Sequence, residues 1–163
     1  MRTYDLSKLK VLIVEKHAPM RVMLFQVLRE FGIDKIIDTP SIEDGFEAFI
    51  ESKPDLVMID WAPDFDGLSL VRRIRSENQD DTSQPTVIMV TAFNETNHIY
   101  EALDAGMTEY LTKPISARLL YMRIVSVIEN KRRFIRADGF VGPDRRRRQG
   151  VFGGPDRRHE EAA

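Results

Sequence analysis

Three four-residue apolar runs, each closed by a polar side chain, constrain this sequence more than any other feature. They are Val11-Leu12-Ile13-Val14 before Glu15-Lys16, Leu56-Val57-Met58-Ile59 before Asp60, and Val87-Ile88-Met89-Val90 before Thr91. Short continuous apolar runs of this kind suit strands buried on both faces of a parallel sheet. The middle run organises the rest. It stops abruptly at Asp60, a Pro-containing loop follows, and Asp66 precedes Gly67 as an N-cap opening a helix. Open α/β sheets gather their chemistry at the carboxyl ends of their strands, where Asp60 falls. A single carboxylate there would also suit a solvated turn, so the other strand ends must decide.

Between the runs the apolar spacing changes to that of helices. Met20, Met23, Leu24, Val27, Leu28 and Phe31 share one face of a helix over about 19–31, with Pro19 in its first turn and Gly32 as its stop. Lys35-Ile36-Ile37 reads as a brief second strand. Ser41 with Glu43 and Asp44 opens a helix to about 51. Leu68, Val71 and Ile74 point inward from a third helix over about 67–77, and 78–84 is a polar loop. The strand ending at Thr91 is followed by a helix over about 95–105 that stops at Gly106. A fifth strand, Glu109-Tyr110-Leu111-Thr112, leads into Lys113-Pro114, and a long helix is expected over about 115–136. Strand and helix alternate five times, which calls for a doubly wound parallel sheet with helices on both faces.

Beyond Arg136 the periodicity breaks. Residues 137–163 are rich in Gly, Pro and Arg and contain an internal repeat. Phe140-Val141-Gly142-Pro143-Asp144-Arg145-Arg146 recurs as Phe152-Gly153-Gly154-Pro155-Asp156-Arg157-Arg158. Six Arg against five acids give this tail a net +1, which leaves −3 on residues 1–136 from the total of −2. The expectation is a domain over 1–136 and a docked or disordered tail over 137–163. The tail's Arg145 to Arg148 run suits a protein surface met by Phe140 and Phe152 better than nucleic acid. With 42% hydrophobic residues the chain can build a core. It has no cysteine, which excludes disulfides and Cys-ligated metal. Its first apolar run is too short for a signal peptide or membrane span, so a cytoplasmic location is expected.

Parallel strands lie about 4.8 Å apart, so adjacent strand ends would assemble Glu15, Lys16, Asp60, Thr91 and Lys113 in one shallow pocket. A carboxylate nucleophile, a hydroxyl and ammonium groups together suit holding a phosphoryl group on Asp60. The order of an acid after the first strand, PDLVMID…DG around the third, VTA after the fourth and YLTKP after the fifth resembles the receiver domain of bacterial response regulators. The likeness covers about residues 8–130. It implies a flavodoxin-like (βα)5 fold and phosphorylation of Asp60 by a histidine kinase or a phosphotransfer protein. It further implies Thr91 and Lys113 as the phosphate-sensing pair, Tyr110 as an aromatic switch, and a cis peptide at Lys113–Pro114. The signal would leave by protein contact through the face of the fourth helix, fifth strand and fifth helix, where His98, Ile99, Tyr100, Ala102 and Tyr110 fall, to an unknown protein target or a homodimer partner.

Two departures from the family pattern bear on metal binding. The resemblance implies Mg²⁺ held by Glu15, Asp60 and the backbone carbonyl of Ala62. Lys16, however, stands where the family carries a second acid, and an ammonium has no lone pair to offer. The loop after Asp60 is also one residue shorter than the family's usual spacing. Lys16 is therefore expected to stand in for the metal beside Asp60. A second reading keeps the fold and drops phosphotransfer, giving a pseudo-receiver that works by protein contact alone. Enzyme readings fare worse. An aspartyl phosphatase wants a second acid where Ala62 stands, and a nucleotide or flavin binder wants glycines that Glu15-Lys16-His17-Ala18-Pro19 lacks. Three scattered histidines, at 17, 98 and 159, make a His-based metal centre improbable.

Overall fold

A computed structural model describes residues 4–77, 84–130, 134–137 and 139–145. Five strands, β1 (Lys10–Val14), β2 (Lys35–Thr39), β3 (Leu56–Trp61), β4 (Thr86–Thr91) and β5 (Glu109–Thr112), form one parallel sheet in the order β2-β1-β3-β4-β5. Five helices connect them: α1 (Ala18–Glu30), α2 (Ile42–Ser52), α3 (Gly67–Glu77), α4 (Thr96–Ala105) and, after β5, α5 (Ala117–Glu129). This is the expected flavodoxin-like (βα)5 architecture.

The alternation of strand side chains splits the core in two. Leu12, Val14, Val57, Ile59, Val87 and Met89 pack with Phe49 of α2, Val71 and Ile74 of α3, and Ala102 and Ala105 of α4. Val11, Ile13, Leu56, Met58, Ile88 and Val90 pack on the other face with Leu24 and Leu28 of α1 and Leu120 and Ile124 of α5. β3 lies in the middle and is buried along its whole length. The chain order reverses between β1 and β3, and such a switch point opens a crevice at the strands' carboxyl ends.

Local chemistry sets the helix ends. Ser41 caps α2 by accepting a hydrogen bond from the Asp44 N–H at 3.1 Å, and Asp66 accepts one from Ser69 at 3.1 Å. Gly106 closes α4 at φ 106°, a left-handed conformation that favours glycine. Gly67 is required for a different reason. A Cβ there would lie 2.1 Å from the carbonyl oxygen of Asp60, so only glycine lets α3 begin this close to β3.

The C-terminal part departs from expectation. α5 ends at Glu129 rather than near Arg136, and an antiparallel hairpin follows, β6 (Phe134–Ala137) paired with β7 (Phe140–Pro143). The boundary expected after Arg136 therefore falls inside β6. The physical reason is a buried cation. Arg75 on α3 is almost wholly enclosed, and the Phe134 ring covers its guanidinium at 4.5 Å from the ring centroid. Phe134 thus serves as a lid on α3 instead of continuing a helix. The second copy of the repeat, 152–158, lies outside the described residues, as do 78–83 of the expected polar loop.

Candidate functional site

The carboxyl ends of β1, β3 and β5 bring three of the expected site residues into contact. The Lys113 Nζ donates to Glu15 Oε2 at 2.8 Å and to Asp60 Oδ1 at 3.1 Å. Glu15 also accepts the His17 N–H at 2.9 Å through Oε1. Both carboxylates are buried, Asp60 at 7% exposure and Glu15 at 2%, so the half-buried lysine is a counter-ion shared between two like charges. It reaches them from just after β5, where the Lys113–Pro114 peptide is cis and the Lys113 N–H donates to the Thr91 carbonyl at 2.8 Å.

The electrostatics follow from this packing. Burial pushes the Asp60 carboxyl above the ordinary carboxylate range and the Glu15 charge adds to the rise, while Lys113 opposes both. Burial disfavours the Lys113 charge, but hydrogen bonds and attraction from Glu15 and Asp60 outweigh it and hold the ammonium above its usual value. Asp60 is therefore a carboxylate poorly compensated by its surroundings.

Thr91 lies at the end of β4, opposite Trp61 and one position beyond the partner of Asp60. Its hydroxyl is fully buried and donates to the Trp61 carbonyl at 2.5 Å, accepting the Phe93 N–H at 3.1 Å. It is thus engaged with the backbone beside Asp60, not with Asp60. Tyr110, on β5, donates its hydroxyl to the Phe93 carbonyl at 2.7 Å. Burial pushes its phenol up, partly offset by the neighbouring Thr91 hydroxyl. Thr91 and Tyr110 therefore both hold the Phe93 backbone, one at its N–H and one at its carbonyl.

Two features escaped the sequence reading. The rings of Trp61, Phe93 and His98 form a cluster over this link. His98 stacks on Phe93 with centroids 4.2 Å apart, and Trp61 meets both edge-on. Nothing in the spacing signals this cluster, because its members come from β3, the loop after β4, and α4. Arg75 was legible in principle, since it falls seven residues after Leu68 and four after Val71 on the inward face of α3. Its charge disguised its place.

Lys16 does not stand beside Asp60. It pairs with Asp64 in the loop after β3, and both side chains are largely exposed. The cation at Asp60 comes from Lys113 instead. His17 precedes α1 without capping it through its side chain. On the expected output face Tyr100 is 60% exposed, but Ala102 is fully buried in the core.

A model of the response regulator receiver domain matches residues 11–125. The chain belongs to the response regulator receiver family. Chemotaxis protein CheY-3 of Vibrio cholerae is 30% identical over 127 residues, covering 76% of this chain and 94% of that protein. The phosphate regulon transcriptional regulatory protein PhoB of Pseudomonas aeruginosa is 31% identical over 119 residues, covering 72% of this chain and 51% of PhoB. This receiver thus spans about half the length of the transcriptional relatives it matches. The crystal structure of a two-component response regulator from Clostridium difficile superposes with a TM-score of 0.68 at 26% identity, over 76% of this chain and 98% of that one. Function in two-component signalling follows from the family. Among the described residues, no helix is long and apolar enough to cross a membrane.

Receiver domains generally bind Mg²⁺ in the acidic pocket. The residues present here do not fit that ion. Mg²⁺ demands near-octahedral oxygen ligands. Of the expected set, Glu15 is engaged through both oxygens, and the Ala62 carbonyl accepts the Phe65 N–H at 3.0 Å across a tight loop. Lys16 fills the place of the second acid. Among the described residues no three His, Asp or Glu side chains are grouped to hold a metal.

Proposed function

We propose that Asp60 is the phosphoryl acceptor of a cytoplasmic two-component regulator whose output is protein contact. The observation that carries this reading is the Lys113 ammonium held between Glu15 and Asp60, because it supplies fixed positive charge beside a buried carboxylate. A carboxylate oxygen of Asp60 attacks phosphorus as the P–N bond of a phosphohistidine on a histidine kinase or phosphotransfer protein breaks. The bonding pair stays on the histidine nitrogen, and the imidazole leaves neutral, its other ring nitrogen already carrying a proton. Lys113 then moves part of its interaction from Asp60 to the phosphoryl oxygens. Thr91 releases the Trp61 carbonyl and turns its hydroxyl to the phosphoryl group, and Tyr110 follows because both share Phe93. The rearranged segment leads directly into α4, whose exposed Tyr100 offers an apolar ring to a protein partner or a second copy of the chain. No metal-dependent step enters this scheme.

Incubation with a small phosphodonor, followed by intact-mass measurement, tests the assignment. Wild type gains the mass of one phosphoryl group and Asp60→Asn gains none. An unchanged wild-type mass in the presence of both donor and kinase would remove the phosphotransfer reading. A second reading, a receiver that signals by contact without phosphorylation, starts only from Lys16 standing where the family carries its second acid. On that reading Asp60→Asn would leave partner binding unaltered.

A further inference from the structure

The β6–β7 hairpin docks at the end of the sheet opposite Asp60. There Arg75 ties α3 to the carbonyls of Gly106 at 2.8 Å and Pro85 at 2.7 Å. Four residues of the first repeat, Phe140, Gly142, Pro143 and Arg145, make the fit. Gly142 and Pro143 are buried, and Gly142 comes so near Gly106 that a Cβ on it would lie 3.0 Å from the Gly106 Cα. Arg145 donates to Asp104 on α4 at 2.8 Å, and its guanidinium lies 4.7 Å from the centroid of the Phe140 ring. Val141 touches the dock through its backbone. Its carbonyl lies where a Cβ on Gly106 would fall, at 2.5 Å.

The second repeat keeps every one of these residues, as Phe152, Gly154, Pro155 and Arg157. Within the seven-residue repeat it differs only at Gly153, which matches Val141, the position read through its backbone. The chain therefore carries one dock and two segments with the same residues at the positions that meet it.

We propose that the α3–α4 base is a binding site for the Phe-x-Gly-Pro-Asp-Arg motif, and that Phe152–Arg157 competes with Phe140–Arg145 for it on the same chain. Pairing β6 with the second copy lengthens the hairpin loop from 2 residues (138–139) to 14 (138–151). By loop-closure scaling this favours the first copy roughly 20-fold when the contacts are equal. The first copy is thus the resting occupant, as observed, and the second takes over when the first is lost or pulled away. A partner that grips Phe140–Arg145 would leave the base covered. The inference does not rest on phosphorylation of Asp60.

Hydrogen–deuterium exchange on the full chain tests it. In Gly142→Val, slow exchange moves from 140–143 to 152–155, while the end of α4 stays protected. In Gly142→Val/Gly154→Val both repeats and the end of α4 exchange fast. The competition is refuted if Gly142→Val alone already behaves like the double variant. Protection of 152–155 that disappears on dilution would overturn the same-chain assignment in favour of exchange between chains. Should Gly142→Val fail to fold, Arg145→Ala and Arg145→Ala/Arg157→Ala carry the same comparison. The first removes both guanidinium contacts of Arg145, to Asp104 and to the Phe140 ring, and the second also removes the arginine that would replace it, so equal protection in the two would refute the proposal.

Discussion

Asp60 is held in an environment that disfavours its charge, and this sets its stability signature. Because burial and Glu15 raise its folded pKa, the folded state binds its proton more tightly than the unfolded chain does. Stability is therefore lost as pH rises from the unfolded carboxylate value through the raised folded one. Asp60→Asn should gain on the order of 1 kcal/mol at neutral pH, and the gain should vanish in acid. Urea melts at neutral and acidic pH check this, and a pH-independent gain would contradict it. Lys113→Met should act oppositely. It leaves two buried carboxylates without their counter-ion and should cost about 3 kcal/mol, recovering as the pH falls. At Lys16 the relevant measurement is metal binding. Lys16→Asp restores the missing oxygen ligand and should give a saturable Mg²⁺-dependent change in Trp61 fluorescence, whereas wild type should show none. At this scale the sequence was informative about identity and poor about pairing. Asp60, Thr91 and Lys113 were recognisable because each ends a strand. That Lys16 turns to Asp64 depends on how the 62–65 loop folds back, and that is a matter of backbone geometry.

Among the elements, α3 does the most to join distant parts. Its first residue must be glycine to sit against the Asp60 carbonyl, and near its last turn lies the buried Arg75. Burial draws the Arg75 pKa down to about 9, so the guanidinium remains charged at neutral pH. Its fork reaches the Gly106 and Pro85 carbonyls, the Gln84 amide oxygen and the Thr108 hydroxyl. Arg75→Lys keeps the charge but cannot span these acceptors. It should destabilise the fold by about 2 kcal/mol and speed hydrogen exchange in β6 and β7, leaving Asp60 chemistry intact. Normal protection of the hairpin would refute that link. Strands and helices through α4 were legible because apolar period and end signals agreed. The run after α5 was not, since Phe134 and Ile135 continue an apolar pattern and only the buried cation on α3 explains why they form a strand.

For the whole molecule, the β6–β7 hairpin beyond α5 is part of the packing rather than an appendage to it. Ending the chain after Asn130 should expose Arg75 and lower the thermal midpoint by several degrees, on the order of 1–2 kcal/mol. Ending it after Arg145 should change neither, and equal melting of the two truncations would show the hairpin to be energetically idle. The repeat was visible in the sequence, but its role was not, because recognition depends on a glycine of β7 meeting a glycine after α4. The placement of Arg145 at Asp104, on the far side of the sheet from the Lys113 ammonium, also has a practical corollary. Cargo fused directly after Arg145, whether a reporter or another folded module, would start from the pole remote from Asp60, leaving the approach of a phosphate donor unobstructed.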